Sequence, residues 1–142
     1  MSTSASLDIL LTDKQNKDLN LLELVELSRK GITYAAFKKL VEKTPFNLEE
    51  WSTFLNLSER TIQRYQKEKK TFNLTQTEKV VEIVLLLDKG VEVFGKPENF
   101  FAWINSPNTA LGGIKPVELL DSRFGVELIK DELLRIEHGV LA

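Results

Sequence analysis

Apolar residues recur along this chain mostly at three- and four-residue spacing, and few stretches alternate with the period of two that a strand requires. The pattern therefore predicts an all-α protein. LLELVELSRKG reads as a short helix over 21–31 closed by Gly31, and TYAAFKKLVEKTP opens with Thr33 as N-cap and stops at Pro45. Asn47, with Glu50 three residues later, has the form of a capping box for LEEWSTFL at 48–55. After Asn-Leu-Ser a second short helix runs from Glu59 to about Lys67. Thr75, with Glu78 in the box position, is the expected cap of the most apolar helix, 75–95. There Val80, Val81, Ile83, Val84, Leu85, Leu86, Leu87, Val91 and Phe94 cover more than one face, as in a central or interface helix, and part of it is expected to pack across a two-fold axis. Gly95 ends that helix and Pro97 opens PENFFAWINS. Gly112–Gly113 turns the loop that follows Pro107, and Pro116 is expected to start a helix, KPVELLDS. The final helix, FGVELIKDELLRIEH, sets Val126, Ile129, Leu133 and Ile136 along one stripe. A seam near 70–75 divides the chain into a polar arm at 1–20, a unit at 21–72 and a second unit at 75–142.

Within the first unit, LEEWSTFLNLSERTIQRYQ has the spacing of a helix-turn-helix. Trp51, Leu55, Leu57, Ile62 and Tyr65 form its small core, and Ser52 is small where the helices approach. Asn56 stands at the turn, where the backbone must be left-handed and Asn is the best substitute for Gly. Ser58 caps the second helix. With Ile62 and Tyr65 inward, Glu59, Arg60, Gln63, Arg64 and Lys67 point outward. Arg can make a bidentate contact to guanine and Gln to adenine, while flanking Lys residues meet phosphates. The candidate DNA-binding set is Ser58, Arg60, Thr61, Gln63, Arg64, Lys67, Lys69 and Lys70. The segment resembles the Xre/Cro-type module, with Asn56 in place of the usual Gly and an acid, Glu59, near the DNA-facing start.

Charge sharpens this picture. The net charge of −2 would be poor support for a nucleic-acid binder if spread evenly. Residues 58–70, however, hold five Lys or Arg against two Glu, giving +3, and residues 117–142 hold six acids against three bases, giving −3. Two partners of opposite character are implied, although solvated helix faces alone would also carry such charge runs. The remaining composition, 42% hydrophobic and 28% charged in 142 residues, fits a folded soluble protein. No apolar run reaches the roughly 18 residues of a membrane span, and the start of the chain has no basic region before an apolar one, so a cytoplasmic protein is expected. The absence of cysteine removes disulfides and thiolate catalysis, and neither a metal site nor a cofactor is expected. His138, the single histidine, adjoins Glu137, but helix neighbours point about 100° apart and make no ready acid–base pair. No catalytic residue emerges, and an enzyme is not expected.

The C-terminal stretch NSPNTALGGIKPVELLDSRFGVELIKDELLRIEHGVLA carries the most specific signal. Through Asn108, Ala110, Leu111, Gly112, Gly113, Pro116, Leu119, Leu120, Gly125, Leu134, Arg135, Ile136, Glu137 and Gly139 it resembles the toxin-binding domain of Xre/MbcA/ParS antitoxins. The resemblance implies an all-α antitoxin in which a helix-turn-helix unit is followed by a helical toxin-binding unit. It also implies a RES-type toxin partner that consumes NAD or transfers ADP-ribose, operator DNA as a second partner, and a homodimer. It places the C-terminal end at the toxin's active-site mouth, which makes Arg135, Glu137, His138, Gly139, Val140, Leu141 and Ala142 the candidate toxin-binding residues. Gly139 suits a left-handed C-cap, and Val140 and Leu141 either enter the partner or fold back on Ile136 and Leu133. A helix-turn-helix regulator without a toxin, and a helical adaptor that no longer binds DNA, stay open as alternatives.

Overall fold

The computed structural model describes residues 20–139; the polar arm before Asn20 and the tail residues Val140, Leu141 and Ala142 lie outside them. The described residues form seven α-helices and two 3-10 turns, with isolated β-bridges but no strand. Two compact units divide between Val84 and Leu85.

In the first unit, α1 (Leu21–Lys30) starts with a capping box: the Glu23 amide donates to Asn20 Oδ1 at 2.8 Å and Glu23 Oε1 accepts from the Asn20 amide at 3.2 Å. It ends at Gly31, whose φ of 84° needs glycine and where a Cβ would collide with the Phe72 carbonyl. α2 (Tyr34–Lys43) is capped by Thr33 as expected and gives way to an extended Thr44, the conformation that a following proline imposes. The Thr44 hydroxyl accepts from Trp51 Nε1 at 3.1 Å, which fixes the indole inside the core. Phe37 meets Trp51 edge-on at 5.7 Å between centroids and lies 4.8 Å from Phe72, so aromatic packing fills the centre of the unit. Across the unit, residues 31–33 are clasped to 71–77. Phe72 N–H donates to the Ile32 carbonyl at 2.9 Å, and the fully buried Thr77 Oγ1 accepts from Ile32 N–H and donates to the Phe72 carbonyl, both at 3.3 Å.

The long helix α5 (Leu74–Phe94) begins earlier than the pattern suggested. Its cap is Asn73: the Gln76 amide donates to Asn73 Oδ1 at 2.8 Å and Gln76 Oε1 accepts from the Asn73 amide at 2.9 Å. Asn73-x-x-Gln76 thus takes the capping-box role expected of Thr75-x-x-Glu78, since Asn caps better than Thr and the Phe72–Ile32 bond fixes where the chain enters the helix. Val80, Val84 and Leu87 are buried within the single chain, so the apolar excess of this helix supplies no argument for a two-fold axis. The unit division also falls inside α5 and not at 70–75, because the first turns of the helix belong to the first unit through Thr77.

The second unit contains the end of α5, then α6 (Pro97–Ile104), the 3-10 turns Thr109–Leu111 and Pro116–Leu119, and α7 (Arg123–Glu137). Gly90 lies against the Phe100 ring, where any Cβ would overlap it. Phe100 stacks on Trp103 at 6.1 Å, and Phe94 lies 5.6 Å from Trp103. The loop is closed by Asn108, whose backbone N–H donates to the Ile114 carbonyl at 3.1 Å and whose carbonyl accepts from Gly113 N–H at 2.8 Å. Gly112 and Gly113, with φ of 79° and 84°, supply the left-handed turn between those bonds. KPVELLDS does not form the expected α-helix. Only a 3-10 turn fits between Pro116 and Ser122, which already caps α7 by accepting from Gly125 N–H at 3.3 Å. Gly125 lets the start of α7 rest on the Leu119 carbonyl, and Val126, Ile129 and Leu133 are buried, with Ile136 half-buried.

Candidate functional site: a helix-turn-helix and the last helix

α3 (Leu48–Leu55) and α4 (Glu59–Glu68) form the helix-turn-helix. The Asn47–Glu50 box starts α3, with bonds of 2.8 and 3.0 Å, and Asn56 takes the left-handed conformation at φ 57° and ψ 39°. Trp51 and Ile62 are fully buried and Leu55 nearly so, while Leu57 and Tyr65 are half-buried; Phe54, which the sequence did not single out, joins this core. The Ser58 hydroxyl accepts from Thr61 N–H and donates to Thr61 Oγ1, each at 3.0 Å. Both side chains thus serve the cap, which frees them less for DNA than the others in the set.

Glu59, Arg60, Gln63, Arg64 and Lys67 are all exposed. At about 100° per residue, Arg60, Arg64 and Lys67 fall on one stripe with Gln63 at its border. Tyr65 orders the far end of this surface. Its ring packs on Phe72 at 5.3 Å, and the Arg64 guanidinium and Lys70 ammonium stand 5.9 and 5.6 Å from its centroid. α4 ends on Lys69, a non-glycine residue in the left-handed region at φ 55°, which turns Lys70 back so that its N–H donates to the Tyr65 carbonyl at 3.0 Å. Lys70 also stands 3.9 Å from the Glu68 carboxylate. The result is an exposed stripe of basic side chains along α4 that continues into Lys69 and Lys70.

The candidate residues at the other end are differently placed. Glu137 Oε2 accepts from Lys89 Nζ at 2.9 Å, tying α7 to the end of α5 inside the second unit. This hydrogen bond, with the nearby Glu137 and Glu92 charges, raises the Lys89 pKa above its usual 10.5 against the opposing effect of burial. The Lys89 partner could not be read from the sequence, since 48 residues separate the pair. Arg135 stands 3.4 Å from the buried Glu132, and His138 is exposed. Gly139 is left-handed at φ 68° and its N–H donates to the Ile136 carbonyl at 3.1 Å, the cap its position suggested. The exposed Phe124 and Leu128 were also missed; their only sequence signal is that they lie off the Val126–Ile129–Leu133 stripe.

A helix-turn-helix with a basic outward stripe, followed by a second compact helical unit, defines a two-part all-α architecture. Two family descriptions match it: an antitoxin Xre-like helix-turn-helix domain over residues 23–84, and an antitoxin Xre/MbcA/ParS C-terminal toxin-binding domain over residues 89–139. The chain belongs to this antitoxin family. Similar curated proteins include a Prs ADP-ribosylating antitoxin of Sphingobium sp., 24% identical over 130 residues that cover 85% of this chain and 82% of the relative. An antitoxin Xre of Photorhabdus laumondii is 26% identical over 104 residues, covering 67% and 70%. An antitoxin Xre of Yersinia enterocolitica is 27% identical over 84 residues, covering 58% and 57%. No helix among the described residues is long and apolar enough to cross a membrane.

Proposed function

We propose that the chain is the cytoplasmic antitoxin of a type II toxin–antitoxin module, in which the second unit binds and inhibits a RES-type toxin that consumes NAD or transfers ADP-ribose. One observation carries this reading: a toxin-binding domain follows a helix-turn-helix in the same chain. The name of the Sphingobium relative, a Prs ADP-ribosylating antitoxin, supports ADP-ribose transfer as the toxin's chemistry. The role is inhibition by binding, with no catalysis by the antitoxin itself. Arg135, His138 and Gly139, continuing into Val140, Leu141 and Ala142, meet the toxin at the end of α7, with Glu137 held in place by Lys89.

The first unit represses the module's own operator. Arg60, Gln63 and Arg64 read base edges, Lys67, Lys69 and Lys70 hold phosphates, and Ser58 and Thr61 present the helix start. A homodimer sets two copies of α4 in successive major grooves of a palindromic site. The unit that ends at Val84 takes the DNA and the unit that begins at Leu85 takes the toxin.

The test uses purified toxin from the adjacent reading frame and DNA from upstream of the module. The antitoxin should suppress the toxin's NAD turnover at a fixed molar ratio and shift the upstream DNA as a dimer. Arg64→Ala should cost roughly 1–3 kcal/mol and relax preference at one base. Lys69→Ala should weaken all sequences alike and lower the salt slope by about one unit. Unchanged NAD turnover at saturating antitoxin, or equal shifts with Arg60→Ala and Arg64→Ala, would contradict the respective half.

A further inference from the structure

Among its described residues the second unit exposes four large apolar side chains: Phe124 at 80%, Leu128 at 50%, Leu134 at 44% and Ile114 at 40%. Three of them are on α7. At about 100° per residue, Phe124, Leu128, Asp131, Arg135 and His138 fall within roughly 40° of a single line along the helix. All five are exposed, on the side of α7 away from the buried Val126, Ile129 and Leu133. The line is about 21 Å long. Phe124 adds nothing to the core of its own unit, and an aromatic left in water beside a second apolar residue is the anatomy of an interface anchor, with charges at its border.

We propose that this outer stripe of α7 docks the toxin, with Phe124 and Leu128 inserted into an apolar cleft and Asp131, Arg135 and His138 meeting its polar rim. The inference rests on the antitoxin reading and deepens it, because it sets the anchor at the start of α7 and leaves His138 at the far end of the same face. Three observations favour the toxin as occupant. The whole stripe lies inside the span matched by the toxin-binding domain, 89–139. It runs without a break into His138 and Gly139, which close the helix. Residues 117–142 carry a net −3, which complements a protein that must hold the phosphates of NAD or ADP-ribose with basic groups. A second copy of this chain fits less well. Antiparallel pairing of two such stripes about their middle would set Asp131 against its own counterpart and Phe124 against His138.

The experiment measures binding of full-length antitoxin to the adjacent toxin, inactivated by substitution, by calorimetry and light scattering. Phe124→Ser should weaken binding at least about 30-fold, equivalent to about 2 kcal/mol, and Leu128→Ser about 10-fold. Because both residues are exposed, circular dichroism of the free variants should match wild type. Wild-type binding with both variants equally tight would overturn the docking face and leave the antitoxin reading standing. No binding by wild type would overturn that reading together with the face. A Phe124→Ser variant that loses self-association while keeping its toxin affinity would assign the face to a second copy and overturn the proposal.

Discussion

Thr77 is fully buried, and its hydroxyl joins the segment before the helix-turn-helix to the segment after it, so replacing it by valine isolates the value of that clasp. Valine keeps the shape but offers neither an acceptor to Ile32 N–H nor a donor to the Phe72 carbonyl. Leaving a buried polar group unsatisfied costs roughly 1–3 kcal/mol. Both bonds measure 3.3 Å, at the long end of the useful range, which places each near the lower figure, about 2 kcal/mol together. The methyl that replaces the hydroxyl regains about 0.8 kcal/mol. The net loss is about 1 kcal/mol, or a fall in Tm of about 3–4 °C for a protein of this size. Thr77→Ser keeps both bonds and loses only packing. The assay is thermal unfolding of Thr77→Val and Thr77→Ser together with amide exchange at Ile32, which should quicken in the valine variant alone. A valine variant as stable as wild type, with Ile32 equally protected, would refute the reasoning.

Lys69 holds a left-handed conformation that costs a non-glycine residue about 1 kcal/mol, so Lys69→Gly should leave Tm level or raise it while weakening DNA in gel shifts at every sequence. Gly125→Ala should destabilise by about 2 kcal/mol, read as the urea midpoint, because its Cβ meets the Leu119 carbonyl and this outweighs the roughly 1 kcal/mol that alanine gains in a helix. The Lys89 pKa is raised on folding by its bond to Glu137, so the pair's contribution is full below about pH 10 and fades as pH rises through the folded value above 10.5. With both side chains about one-third exposed, that contribution is at most about 1 kcal/mol, and the difference in urea midpoint between wild type and Lys89→Met should be constant from neutral pH to about pH 10 and shrink beyond it.

Local chemistry was the legible part of this chain. Thr33, Asn47, Asn56 and Ser58 each act as their residue types suggest, because caps and a left-handed turn are settled within four residues. The same rule misled at the start of α5, where two overlapping boxes compete and the choice between Asn73 and Thr75 is made by a backbone bond to distant Ile32. KPVELLDS looked helical because propensity ignores the cap at Ser122, which leaves room for only a 3-10 turn. Pattern alone cannot tell whether an over-apolar helix is covered by its own chain or by a copy; here Val80, Val84 and Leu87 are covered by their own chain. The outward residues of α4 were legible because the core positions Ile62 and Tyr65 fix the wheel. Phe124 and Leu128 escaped notice because they lie off the buried stripe of α7, and the Lys89 partner of Glu137 was hidden because 48 residues separate the two.

The central claim, that one chain both blocks a toxin and represses through separate surfaces, is tested most directly by growth. The toxin of the adjacent reading frame is induced in cells supplied with full-length antitoxin carrying Arg60→Ala and Arg64→Ala, beside a reporter driven by the upstream DNA. The account predicts that cells grow as with wild-type antitoxin while the reporter is derepressed, since both arginines lie on the exposed stripe of α4 and outside the toxin-binding span. Growth arrest with this variant, or with the wild-type antitoxin itself, would contradict it.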